Sequence, residues 1–248
     1  MPKFFVNSEQ INNNEIKIIG NDVNHIKNVL RLSINDKIKI CDKDGHVNYN
    51  CVIFNIDSEY VMTKIIDKEE SNVEAKTQIY VFQGLPKGDK LEFIIEKLTE
   101  IGVKELTPVA MKRSVVKLQE KDKAKKMLRW NKIAEVAAKQ SGRDEILKIN
   151  DVINYQNIFN YLKDYDIVLV AYEKEEKLTL KKALSKLDKT KENKVAVLIG
   201  PEGGFDDIEI EQAKQNSPVN IVTLGRRILR TETAPLVISS NILYELED

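Results

Sequence analysis

Two loops near the end of the chain, Ile199-Gly200-Pro201-Glu202-Gly203-Gly204-Phe205 and Leu224-Gly225-Arg226-Arg227-Ile228-Leu229-Arg230-Thr231-Glu232-Thr233-Ala234-Pro235, each follow an apolar, strand-like run. Glycine has no Cβ and accepts positive φ, so at the carboxyl end of a strand it lets main-chain groups approach a ligand closely. Two such loops so near in sequence point to one shared pocket.

Outward from these loops, strand and helix alternate. Strands are expected at 78–82, 105–110, 146–149, 167–171, 195–199 and 219–224. Between them Leu91, Ile94, Ile95, Leu98 and Ile101 recur at helical spacing up to a stop at Gly102. Further helices are expected at 123–140, 155–162, 180–187, 208–215 and 234–246. Pro235 suits the first turn of the last of these, with Thr233 as its N-cap. Such alternation indicates α/β architecture with a mainly parallel sheet, in which ligands sit beyond the carboxyl ends of the strands, where both glycine loops lie.

Before about residue 70 the pattern differs. Short strands at 16–19, 37–41, 47–56 and 60–66, with one short helix at 22–30, lie between turns rich in Asn, Asp and Gly. This reads as a small barrel or sandwich over residues 1–70. The charged segment 67–76 is the connection to a second domain over 75–248.

Composition narrows the classes. With 248 residues and 42% apolar content the chain can bury an ordinary core. Its 39 basic and 39 acidic side chains cancel, which argues against gripping a polyanion with the whole surface but permits a local patch. One such patch runs from residue 112 to 129, where eight basic residues face only Glu120 and Asp122. It is either a solvated helix face or the footprint of phosphate contacts. Cys41 and Cys51 are too few for a disulfide framework, lack zinc-site spacing and suit strand cores. The start, Met1-Pro2-Lys3-Phe4-Phe5-Val6-Asn7, has no long apolar segment, and a soluble cytoplasmic protein is expected.

The first loop is neither G-x-G-x-x-G nor a P-loop, so a dinucleotide or triphosphate site lacks its signature. By itself it could be a turn into a helix whose acidic start, Asp206-Asp207, suits the helix dipole. The second is harder to read as a plain turn, because Arg226, Arg227, Arg230 and Glu232 crowd it between an apolar strand and an apolar helix. His25 and His46 lie far from both, and no Ser/His/Asp or Cys/His arrangement can be assembled for nucleophilic hydrolysis.

The chain resembles the RsmE-type 16S rRNA (uracil-N3)-methyltransferases of the SPOUT superfamily over nearly its whole length. The resemblance rests on His25 with Val29-Leu30-Arg31, Pro86-Lys87-Gly88-Asp89-Lys90, Glu96-Lys97, Glu100-Ile101-Gly102-Val103, Arg113-Ser114 and Trp130. It continues through Glu135-Val136-Ala137-Ala138-Lys139-Gln140-Ser141-Gly142-Arg143 and both glycine loops. It implies an N-terminal PUA-like RNA-binding barrel and a C-terminal parallel-sheet domain with a trefoil knot. It further implies a homodimer, and N3-methyluridine in the 16S rRNA of the 30S subunit as product. S-adenosyl-L-methionine is the implied cofactor, held by Ala171, Ile199, Gly200, Gly203, Leu224, Gly225, Ile228 and Leu229. Other readings are a non-catalytic ribosome-assembly RNA-binding factor, or a SPOUT methyltransferase acting on another RNA.

Uracil N3 carries a proton and is weakly nucleophilic. A base near N3 and a cation near a carbonyl oxygen would both lower the barrier. Arg230 is expected to be the cation. Glu232 and Glu202 are candidates for the base, though each could instead orient an arginine or cap a turn. Arg31, Lys87, Arg113 and Arg143 are expected phosphate contacts. Lys3 stands where the family often has Arg, keeping the charge without the bidentate fork.

Overall fold

Burial alternates along one strand between two separate apolar clusters. Val195, Val197 and Ile199 pack into one cluster, and Ala196 and Leu198 into another. A strand covered on both faces is the mark of a central position in a parallel sheet. The computed structural model describes residues 1–44, 47–70, 73–116, 120–216 and 218–247. Lys117 of the basic run, His46, and Ser71-Asn72 of the expected connection lie outside the described residues. The chain divides into two units, residues 1–74 with 138–145, and residues 75–137 with 146–248.

The first unit holds β1 (Lys3–Val6), β2 (Ile11–Asn12), β3 (Glu15–Ile19), β4 (Lys37–Asp42), β5 (Val47–Ile56) and β6 (Tyr60–Glu70). They form a six-stranded sheet in the order β1-β4-β5-β6-β3-β2. Among the described residues only β1 and β4 pair in parallel. Strand β1 escaped the sequence reading because its four residues are all buried, with no alternation to betray it. Strand β6 runs on into the segment expected to be a polar connection, since its charged end keeps pairing with β5 from Asn50↔Asp67 to Val47↔Glu70. The expected helix at 22–30 is one α turn, α1 (Asn21–Asn24), followed by a π-helix at His25–Val29. The N–H of Leu30 donates to the His25 carbonyl at 2.9 Å, the wider bond of that geometry. Cys41 and Cys51 are buried free thiols, each pushed up to about 11 mainly by burial. They serve the core and not nucleophilic chemistry.

The second unit holds β7 (Gln78–Gly84), α2 (Lys90–Ile101), β8 (Glu105–Ala110), α3 (Glu120–Ser141, its last residues in the first unit), β9 (Lys148–Ile149) and β10 (Ile153–Asn154). These are followed by β11 (Ile167–Ala171), α4 (Leu180–Leu184), β12 (Lys194–Ile199), α5 (Asp207–Lys214), β13 (Val219–Val222) and α6 (Ala234–Leu246). The sheet runs β10-β8-β7-β12-β11-β13, with β9 on β8, and every pair is parallel as the alternation predicts. Helix α2 buries Leu91, Ile94, Ile95 and Leu98 and stops at Gly102, whose φ of 106° ends it in a left-handed cap.

Two helix expectations are corrected. The segment at 155–162 forms 3-10 turns, Tyr155–Asn160 and Leu162–Asp164, closed by bonds such as Tyr161 N–H to the Ile158 carbonyl. Asparagines at 154, 157 and 160 favour such turns over a helix interior. Thr233 precedes α6 but makes no side-chain cap, because its own backbone is already helical and the turn from Arg230 leads straight in. Among the described residues no helix is long and apolar enough to cross a membrane.

Candidate active site

Strands β12, β11 and β13 lie side by side and point the same way, so the chain leaving Ala171, Ile199 and Val222 opens on one edge of the sheet. The three loops enclose a cavity of about 410 Å³. Ala171, Ile199, Gly200, Gly203, Leu224, Gly225, Ile228 and Leu229 all line it, as do Arg230 and Glu202. Lys90, Tyr172, Glu173 and Thr231 join them.

Hydrogen bonds fix the two glycine loops to each other and to the sheet. The Thr231 hydroxyl donates to the Gly200 carbonyl at 2.8 Å and accepts from Gln83 Nε2 at 3.0 Å. Gln83 Nε2 also donates to the Gly84 carbonyl at 3.0 Å. A Cβ on Gly84 would lie 2.6 Å from Pro201, so the end of β7 and the first loop can touch only because residue 84 has no side chain.

Beside the cavity one ammonium joins two carboxylates. Lys90 Nζ is 3.1 Å from Glu202 Oε1 and 3.1 Å from Glu232 Oε2. Glu202 Oε1 also accepts from the Lys87 N–H at 3.0 Å. Burial works to raise the Glu202 carboxyl, but the backbone N–H groups and Lys90 outweigh it and hold it below the ordinary glutamate value. At Glu232 burial is likewise outweighed by its own backbone N–H, Lys90 and Arg230. Both are carboxylates at neutral pH. Arg226, Arg227 and Arg230 are exposed and their side chains make no hydrogen bond or ion pair with the described residues, while Ile228 between them is 82% exposed. The second loop therefore presents three guanidiniums and an apolar side chain at the cavity rim, Arg230 among them acting on the Glu232 carboxyl.

The expected phosphate contacts separate. Arg31 and Lys87 are exposed, the first at the end of the π-helix and the second just before α2. Arg113 donates to the Gly203 carbonyl at 3.2 Å and lies 3.5 Å from Asp206, which also pairs with Lys112 at 3.1 Å. These two basic residues brace the first loop and the N-cap of α5. Arg143 is 5% exposed, and its guanidinium is occupied by Glu74, 2.7 Å away. Glu74 also accepts from the Asp144 and Glu145 N–H groups. Lys3 is buried too, donating to the Gly142 carbonyl and paired with Asp144. The expected phosphate role at Arg143 is thus corrected to a buried ion pair, and Lys3 shares that hub.

Sequence reasoning gave Lys90, Gln83 and Thr231 no role. Lys90 did carry a signal, because a cation in the first turn of a helix opposes the macrodipole and calls for compensating anions.

A family model described as RNA methyltransferase domain matches residues 73–243, and one described as RNA methyltransferase PUA domain matches residues 18–66. Ribosomal RNA small subunit methyltransferase E of Bacillus subtilis is 40% identical over 232 residues, covering 93% of this chain and 90% of that protein. The chain belongs to the ribosomal RNA small subunit methyltransferase E family. The protein of the same name in Mesomycoplasma hyopneumoniae is 34% identical over 99% of this chain and all 100% of its own length. Among solved structures, the Neisseria gonorrhoeae family member bound to S-adenosyl methionine superposes with a TM-score of 0.84 at 27% identity, covering 98% of this chain and 97% of that one. The family expected from the motifs is the family found, with its parallel-sheet architecture and N-terminal PUA-like domain.

Proposed function

We propose that the protein is an S-adenosyl-L-methionine-dependent methyltransferase of small-subunit ribosomal RNA in the cytoplasm, acting on N3 of one uridine in 16S rRNA. The observation that carries this reading is the convergence of all eight expected cofactor residues on one cavity at the carboxyl ends of adjacent parallel strands. Its residues fit the cofactor. Ala171, Ile199, Leu224 and Leu229 offer apolar surface to an adenine, the glycines expose backbone donors and acceptors, and Glu173 and Glu202 suit a cationic ligand. When bound, S-adenosylmethionine supplies an electrophilic methyl group.

The chain's own residues prepare the acceptor. Arg230 places a permanent positive charge where a uracil carbonyl gains negative charge as N3 loses its proton. Glu232, in the same turn, takes that proton; Glu202 accepts from the Lys87 N–H and pairs with Lys90. A carboxylate held below its ordinary value is a weak base, so the arginine carries more of the rate than the glutamate. The target base leaves its stack to bring N3 to the pocket. The exposed Arg31 and Lys87 hold phosphates. The working unit is a homodimer with a knotted C-terminal half, a reading supported by the family resemblance.

Purified protein with labelled cofactor, offered free 16S rRNA or assembled 30S particles, tests the assignment by nucleoside mass analysis. N3-methyluridine is the expected product, and label at a ribose hydroxyl or in transfer RNA would overturn it. Light scattering of the same sample tests the dimer.

A further inference from the structure

The two glycine loops follow different strands, yet a carboxylate from each meets the same nitrogen beside the cavity. Lys90 opens α2, with its Nζ 3.1 Å from Glu202 Oε1 on the first glycine loop and 3.1 Å from Glu232 Oε2 on the second. We propose that Lys90 is a positioning residue of the methyl-transfer site, setting the separation of the two cofactor-binding loops by fastening Glu202 to Glu232. This rests on the reading of the cavity as the S-adenosylmethionine site.

Helix stability does not explain a lysine at this position, because its charge opposes the positive end of the α2 dipole. The two carboxylates do explain it, and they hold the ammonium above its ordinary value, Glu232 foremost. Arg230, beside Glu232, brings the cluster to two positive and two negative charges. Without Lys90 the two carboxylates would face each other across the junction of the loops, and repulsion would raise the pKa of at least one and push the walls apart. The backbone N–H of Lys87 holds Glu202 from one side. Glu173, Arg226 and Arg227 are the other charged groups on the cavity wall. The Thr231–Gly200 hydrogen bond joins the same two loops on the buried side, so the ion cluster is a second tie at the rim.

Calorimetric titration of full-length protein with S-adenosylmethionine and with S-adenosylhomocysteine, across the acid and neutral range, tests the assignment. Lys90→Met should bind both ligands roughly 3- to 30-fold more weakly, as expected for two half-exposed ion pairs. The midpoint of its acid limb should move to higher pH, since Glu202 and Glu232 lose the cation that holds them down. Lys90→Arg should restore both affinity and midpoint. Lys90→Gln replaces the methionine variant should the latter not fold. Wild-type affinity in the charge-removing variant, or a weakening accompanied only by a lower Tm with the midpoint unmoved, would overturn the role of Lys90. Failure of the wild-type protein to bind either ligand would instead sink the cofactor reading itself.

Discussion

The hydroxyl of Thr231 donates to the carbonyl of Gly200 at 2.8 Å, joining the second glycine loop to the first at a position 6% exposed. The same oxygen accepts from Gln83 Nε2. Thr231→Val keeps the shape and removes the hydroxyl, leaving a buried carbonyl without this donor and an amide without this acceptor. Urea unfolding should show a loss of about 1–3 kcal/mol, and cofactor affinity should fall because the loops lose their buried tie. Thr231→Ser should keep most of both.

Much of this site was legible because its parts are local. A glycine after an apolar run, an arginine-rich turn and a proline at a helix start are read within a few residues; the first two line one cavity and Pro235 opens the helix that follows the second loop. What was hidden depends on partners brought together by the sheet. Strand β12 inserts between β7 and β11, which brings Gln83 and Lys90 to loops far from them in sequence. Arg143 shows the converse. A guanidinium after a helix end looks like a free phosphate ligand until Glu74 is found beneath it. Burial of a charge depends on a distant partner, and periodicity carries no record of that.

Gly225 has φ of 114° with no heavy atom within 4 Å of where a Cβ would stand. Gly225→Ala therefore meets no steric obstacle and isolates the backbone term. A non-glycine residue in this region costs on the order of 1–3 kcal/mol. The variant should fold with a lowered Tm and bind cofactor more weakly, because the loop relieves the strain by moving. Unchanged calorimetric affinity would show that the cofactor does not use this backbone conformation.

The stability that Glu232 contributes should depend on pH in a definite sense. Its carboxyl is held below the ordinary value of 4.5 in the folded protein, against the effect of burial, by its backbone N–H, Lys90 and Arg230. A group with a depressed folded pKa stabilises above its unfolded value and loses that contribution as pH falls through the folded one. Denaturant titrations of wild type and Glu232→Gln should therefore differ most at neutral pH and converge as pH drops below about 4.5. A gap that widens toward acid would reverse the assignment.

Arg31 is exposed, follows Leu30 at the end of the π-helix, and has φ of 55°. A left-handed arginine costs about 1–2 kcal/mol of local strain that glycine would not carry. Arg31→Gly should leave stability equal or higher while weakening RNA binding, a combination that a structural arginine could not give. Anisotropy titrations over a range of salt should show a slope shallower by about one if a single phosphate contact is lost. An unchanged slope would remove Arg31 from the RNA interface.

Arg230 separates binding from chemistry. It is exposed at the cavity rim, has no ion-pair partner among the described residues, and lies close enough to Glu232 to lower that carboxyl. A cation serving the transition state is felt only as charge develops on the uracil, whereas one serving the ground state is felt on binding. Arg230→Ala should therefore lower kcat by about 10²–10³, the range for loss of one charge-stabilising donor, with cofactor affinity changed by much less. Arg230→Lys should recover part of the rate, since the charge returns without the planar fork. Single-turnover rates beside calorimetric affinities make the comparison, and equal losses in both would make Arg230 a binding residue.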